Sequence, residues 1–313
     1  MRRKPLPIVI IFIVLVAILL IPFDKEEVIK INASYFNCYQ QLASPQNWEK
    51  WQSDINGVYR RDSSLCKLTT VANGFKIVTP NSGFIVRKQS STSFAIKKNK
   101  QNKDINYNCA ILPDTAGLVT SVVIKYSTSV IKYISSELSG TNVYHADIYD
   151  FKKYMEDTKA YYGYYIKTDF LTGKKIIVNR KTVLTKDVLA EAAAMRNQLY
   201  HYITQIYLKQ TAPIMLQYTA ISQDSVQVMM GIPVNKAIKP DQGFLYMEIP
   251  AGNALMADFS GKYNDKQKVY TAVEKYVQDR RIHRKIAPLE VFDGALPGSA
   301  DEVTTFRIVY PVF

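Results

Sequence analysis

Glu290 is the residue whose type and setting point most directly to chemistry. It stands in LEVF, where strand alternation puts Leu289 and Val291 on one face and Glu290 with Phe292 on the other. If helices cover the first face, a carboxylate and a ring look into the space that the second face borders. The matching stretch earlier in the chain is IMLQY, in which Met215 takes the equivalent place, so an apolar residue would oppose an acid. Such a hollow suits an amphipathic cation, which gains from aromatic faces and from the opposite charge. A structural ion pair between Glu290 and a neighbouring Lys or Arg is the plainer alternative, and a catalytic carboxylate is a third. The chain carries 22 tyrosines. Of these, Tyr246 in FLYME and Tyr263 are candidates for the wall of the hollow, and the cluster YYGYY at 161–165 offers large amphipathic area to a pocket or to an interface. Trp48 and Trp51, three apart in SPQNWEKW, lie on one side of a helical turn, as core packing or as aromatics at the mouth of a cavity.

Other chemistries find little support. The histidines, His145, His201 and His283, are scattered, and no HxxxH, GxSxG, Gly-rich phosphate loop or DxD is present. Cys38, Cys66 and Cys109 show no metal-binding spacing; Cys38 and Cys66 could pair in an oxidising compartment, or all three could be buried thiols. No metal and no cofactor are therefore expected, and no nucleophile set by its neighbours points to an enzyme. Net charge is +13, which would suit anionic lipid head groups, acidic solutes or nucleic acid. Nucleic acid is not expected, because the lysines alternate with apolar residues along strands and no winged, zinc or helix-turn-helix pattern emerges.

The elements that must position these residues begin with LPIVIIFIVLVAILLIPF, residues 6–23, an uncharged run long enough as a helix, about 27 Å, to cross a bilayer. Arg2, Arg3 and Lys4 precede it, while Asp24, Lys25, Glu26 and Glu27 follow, so the basic bias holds the N-terminus in the cytoplasm. The residues ahead of the first charge lack the small pair that a signal peptidase needs. A cytoplasmic tip and transmembrane anchor at 1–25, in a bacterial inner (cytoplasmic) membrane with the soluble domains on the non-cytoplasmic, periplasmic side, is the expectation.

In the next stretch, 26–160, a strand signal at 27–31 is followed by helical spacing at 32–42 and the Trp pair. Short alternating runs then come at 65–71, 75–78, 83–87, 92–98, 105–112 and 117–125, and a final amphipathic helix at 146–162. The opening VIKINASYFNCYQQLASPQNWEKW, through Ser44, Pro45, Asn47, Trp48 and Trp51, resembles the START-like (SRPBCC, polyketide cyclase type) superfamily. That resemblance implies a helix-grip domain with a hydrophobic cavity between sheet and last helix; the stretch 135–144 is an insertion relative to the pattern.

Residues 161–313 repeat themselves in kind. A strand at 173–180, a helix at 184–207 and strands at 215–221 and 226–234 are followed by a strand at 243–259, a helix at 266–280 and strands at 289–293 and 303–312. Ala212–Pro213 and Ala287–Pro288 open the two strand pairs, which close on GIPV and VYPV. Two β-α-β-β halves related by a pseudo-two-fold would bury their helical faces together and leave a cleft where they meet. The stretch FLYMEIPAGNALMADFSGKYNDKQKVYTAVEKYVQDRRI, with Ile249, Pro250, Ala251 and Gly252 as an "lpag" turn and Gly261 and Tyr263 as "G.y", together with IAPLEVFDG, resembles the GyrI-like effector-binding domain. Glu290 falls where many of its members carry a central acid. That resemblance implies binding of hydrophobic, often cationic molecules between the halves, and some members are described as hydrolases. The expected protein is α+β, a membrane-anchored binder or sensor of a small hydrophobic, possibly cationic molecule. A structural protein with a collapsed cleft, or a hydrolase using Glu290 and a tyrosine, are the alternatives.

Overall fold

Alternating runs build two sheets, and among the described residues every sheet pairing is antiparallel. The structure, a computed structural model, describes residues 19–100, 103–139, 143–283 and 286–312, and the chain divides into two units, Met1–Asp157 and Thr158–Phe313.

In the first unit, β1 (Pro22–Ile31) leads into short helices α1 (Tyr35–Ala43), α2 (Pro45–Trp51) and α3 (Ser53–Tyr59). Six strands follow, β2 (Lys67–Val71), β3 (Gly74–Val78), β4 (Ser82–Lys88), β5 (Ser93–Lys100), β6 (Lys103–Pro113) and β7 (Thr120–Ser129), then helices α4 (Val130–Ser139) and α5 (Val143–Glu156). The sheet runs β1-β7-β6-β5-β4-β3-β2. Ser34 caps α1 by accepting from the Asn37 N–H, and Pro45 starts α2, where its missing donor costs nothing. Inside, Phe151 of α5 packs on Trp51, and Lys98 is buried in a pair with Asp147 at 2.6 Å and with Asp54 at 2.9 Å. Burial pushes the Asp147 carboxyl up against the pull of Lys98.

The expected anchor is corrected here. Residues 6–18 of its apolar run lie outside the described residues. Of the rest, Leu19 and Leu20 are helical, but Pro22 and Phe23 belong to β1 and pair with Ser129 and Thr128 of β7. Among the described residues no helix is long and apolar enough to cross a membrane. The single-pass transmembrane helix, and the localisation built on it, are not supported: the end of the run continues into the alternating EEVIKI and is satisfied by a sheet ladder instead of a helix.

The second unit opens with α6 (Thr158–Tyr162) and β8 (Ile166–Leu171). One half is β9 (Lys174–Leu184), α7 (Val188–Gln205), β10 (Ile214–Ala220) and β11 (Ser225–Val234). After β12 (Leu245–Ile249), the other is β13 (Gly252–Lys262), α8 (Lys266–Asp279), β14 (Leu289–Phe292) and β15 (Val303–Pro311). The sheet order β12-β9-β11-β10-β14-β15-β13-β8 reads alike from both ends, with β10 and β14 at its centre. The run 243–259, expected as one strand, is two, because Pro250 and Ala251 turn the chain from edge strand β12 into β13 near the other end of the sheet. Helix α7 buries Ala192, Met195, Leu199, Tyr202 and Ile203, and α8 buries Val269, Ala272, Val273 and Val277. Both stripes recur at helical spacing and pack on one sheet face, with Ile214, Leu216, Phe292 and Ile308 beneath them. The opposite face gathers Ile176, Val178, Met215, Leu289 and Val309.

Candidate functional site

Helices α7 and α8 lie on the same sheet face as Glu290, so the space beside the carboxylate is a cleft between the helices. The condition that helices cover the Leu289 and Val291 face is not met. Leu289 and Val291 look to that far face, and Glu290 with Phe292 looks up between α7 and α8. The cleft has a volume of about 650 Å³, and its walls include Val188 and Leu189 at the start of α7, Tyr218 of β10, and Tyr263, Lys266 and Tyr270 at and after the turn into α8.

Glu290 lies behind Tyr263, Lys266 and Tyr270 of these walls with no solvent exposure at all. Such a carboxylate survives only if its lone pairs are met by donors. Three are: the Tyr263 hydroxyl donates to Oε2 at 2.8 Å, and the Tyr270 hydroxyl and the Lys266 ammonium donate to Oε1, each at 2.8 Å. A phenol has one hydrogen, so Tyr263, having given its own to Glu290, accepts from the Tyr218 hydroxyl at 2.7 Å and from Lys266 Nζ at 2.6 Å. That ammonium also stands 4.1 Å from the centre of the Tyr218 ring and 4.0 Å from that of Tyr263. Burial, then the Glu290 charge, push the Tyr218, Tyr263 and Tyr270 phenols well above their ordinary range, so all three stay protonated donors. Burial pulls the Lys266 ammonium down by more than Glu290 lifts it.

Glu290 and Tyr263, both expected in the site, are thus brought together, and Phe292 packs behind them against Phe306, with ring centroids 5.1 Å apart. Met215 is not part of it. It pairs with Val291 and faces the opposite side of the sheet, while Leu216 is the cross-strand partner of Glu290. Matching the two halves by Ala-Pro displaced the register by one residue, and one residue exchanges the faces of a strand. Tyr246 lies on edge strand β12, where its hydroxyl donates to Glu248 at an exposed position. Trp48 and Trp51 are core residues of the first unit, with indoles 4.6 Å apart; Trp48 donates to the Leu42 carbonyl and meets Phe75 and Phe84. The residues that the sequence reading missed as parts of the site are Tyr218, Lys266 and Tyr270. Their signal was present: Tyr263, Lys266 and Tyr270 recur at helical intervals of three and four, and Tyr218 is two along from Leu216.

A larger hollow, about 880 Å³, lies along Arg87, Lys97 and Lys125 of the first unit. It is the weaker candidate, because Lys97 and Lys125 are already paired with Asp104 and Glu26 in solvent and no desolvated charge lies at its base. Among the described residues no group of His, Cys, Asp or Glu could hold a metal ion.

No family model matches the chain, and no curated protein matches it. Among solved structures it is similar to EcmrR in its DNA complex, at 16% identity over 58% of this chain and 71% of that one, TM-score 0.44. It is also similar to SAV2435 bound to tetraphenylphosphonium, at 12% identity over 47% and 93%, TM-score 0.34. A hydrolase from Listeria innocua is similar at 7% identity over 47% and 91%, TM-score 0.35. Likenesses at such TM-scores carry no argument about function, which rests instead on the geometry of the cleft.

Proposed function

We propose that the chain binds a small hydrophobic molecule in the cleft between α7 and α8, with the rings of Tyr218, Tyr263 and Tyr270 as its polar-tipped walls and Glu290 as the buried charge beneath. One observation carries the reading: a cleft of about 650 Å³ is kept open, rather than filled by its own side chains, beside a wholly buried carboxylate held by three donors. A cleft of this size, mostly apolar with a few convergent polar groups, is the usual form of a small-molecule site. The two β-α-β-β halves and the acid at their junction support a GyrI-like reading of the second unit. The order of strand, short helices, antiparallel strands and closing helix supports a START-like reading of the first.

The open cleft speaks against a purely structural part. The protonated phenols speak against a tyrosine base of the kind a hydrolase would need. The test is titration calorimetry of the full chain with tetraphenylphosphonium, the ligand of SAV2435, and with neutral aromatic hydrocarbons such as tert-butylbenzene. At least one should bind saturably, and Tyr270→Ala, which removes a wall, should weaken it about tenfold. Saturable binding by none of them, or binding untouched by Tyr270→Ala, would sink the proposal.

A further inference from the structure

The ammonium of Lys266 sits where a cationic ligand would sit. It lies over two aromatic rings, at 4.0 and 4.1 Å from their centres, and 2.8 Å from a carboxylate oxygen with no solvent exposure. Rings and a desolvated acid together are the usual way in which proteins hold an organic cation. Here the cation belongs to the chain itself. It comes from the first residue of α8, on a flexible four-carbon stem, and its side chain keeps 24% exposure to the cleft.

We infer that Lys266 is an intramolecular stand-in for a cationic ligand and sets the charge specificity of the cleft: it occupies the cation position and excludes organic cations that the rings and Glu290 would otherwise hold. The inference rests on the reading of the cleft as a binding site. Glu290 offers no free charge to an incoming molecule, since Lys266 already neutralises it and the two phenols take further lone pairs. A cation can reach the rings only by expelling the ammonium, so its apparent affinity is cut by the fraction of molecules in which Lys266 is out. A neutral hydrophobe, which makes no claim on Glu290, escapes that competition. Lys266 stands at the first residue of α8 on a flexible stem that keeps 24% exposure to the cleft, so its head group has a route out when a cation competes for the position.

Phenyltrimethylammonium and its neutral isostere tert-butylbenzene separate the effects of charge and shape. Titrated into the full chain, phenyltrimethylammonium should bind Lys266→Met at least tenfold more tightly than the wild type, while tert-butylbenzene changes less than threefold. Adding Glu290→Gln to Lys266→Met should abolish the gain for the cation alone. Lys266→Gln, which keeps a donor towards Glu290, should show the same order and serves if the Met variant does not fold. Equal gains for cation and neutral isostere, no gain for the cation, or a gain that survives loss of the Glu290 charge would each overturn the inference while leaving the cleft as a hydrophobic site. Failure of both compounds to bind any folded variant would overturn the cleft reading, and this inference with it.

Discussion

A carboxylate buried from solvent, three phenols and one ammonium share a network of hydrogen bonds around Tyr263 and Glu290, and their titration couples the site to stability. Tyr218, Tyr263 and Tyr270 have folded-state values above the ordinary phenol value of 10.0. Groups raised on folding contribute stability that is fully present below the unfolded value and is lost as pH climbs above it. Lys266 acts with the opposite sign. Its folded value lies below 10.5, so between those two values the unfolded chain binds more protons and stability rises with pH. The expected profile is therefore a slight gain on approaching pH 10, then a fall. In an ultraviolet absorbance titration of the phenolates, three tyrosines fewer should ionise in the Tyr218→Phe, Tyr263→Phe, Tyr270→Phe triple variant's unfolding step than in the wild type's. Ionisation of all three before unfolding would show the network to be looser than described. At this scale the sequence exposed the acid and one phenol, because strand parity and a turn residue are local. It hid Lys266 and Tyr270, whose run KQKVYTAVEKY reads as an ordinary amphipathic helix until the sheet beneath supplies the carboxylate.

Elements were legible where periodicity was strong and misread where edges and turns decided. The strands β2 to β7 and helices α7 and α8 follow patterns that need no tertiary information. Strand β8 escaped notice, since IKTDFL is an edge strand with mostly exposed residues and no clean alternation. The first unit's final helix, expected over 146–162, ends at Glu156, and the helical turn Thr158–Tyr162 belongs to the second unit. One element-level constraint is sharp. Between β2 and β3 the chain turns through Asn73, at φ 56°, into Gly74. A Cβ on Gly74 would stand 1.9 Å from the Val86 carbonyl oxygen and 2.9 Å from its carbon, both backbone atoms of the neighbouring strand. No side-chain rotation relieves that, so β3 must separate from β4. Gly74→Ala should cost on the order of 2–3 kcal/mol in urea denaturation; a change under about 0.5 kcal/mol would mean that the pairing yields more easily than its register implies.

At the scale of the whole chain, the two halves of the second unit are stitched together by exchange of their leading strands. Strand β8, which precedes the first half, adds to β13 of the second, while β12, which precedes the second half, adds to β9 of the first. Each half thus supplies an edge that the other needs, and the cleft draws its walls from both: Val188, Leu189 and Tyr218 from one, Tyr263, Lys266 and Tyr270 from the other, with Glu290 buried behind Tyr263, Lys266 and Tyr270. Helix α6 belongs with them, since Tyr162 meets Tyr276 with ring centroids 5.3 Å apart and donates to Asp279 at 3.0 Å, and Thr158 Oγ1 accepts from the Ile166 N–H. A fragment cut at the unit boundary, 158–313, therefore keeps every strand of its sheet and every donor to Glu290. It should unfold in one cooperative transition and bind a hydrophobic ligand within about twofold of the full chain, a difference of roughly 0.4 kcal/mol. A fragment of one half, 174–234, loses β12 from its edge and β14 from its centre and should show no cooperative transition in a scanning calorimetry comparison with 158–313. If the half folds alone, the strand exchange is decoration; if 158–313 does not, the site depends on more of the chain than its own sheet.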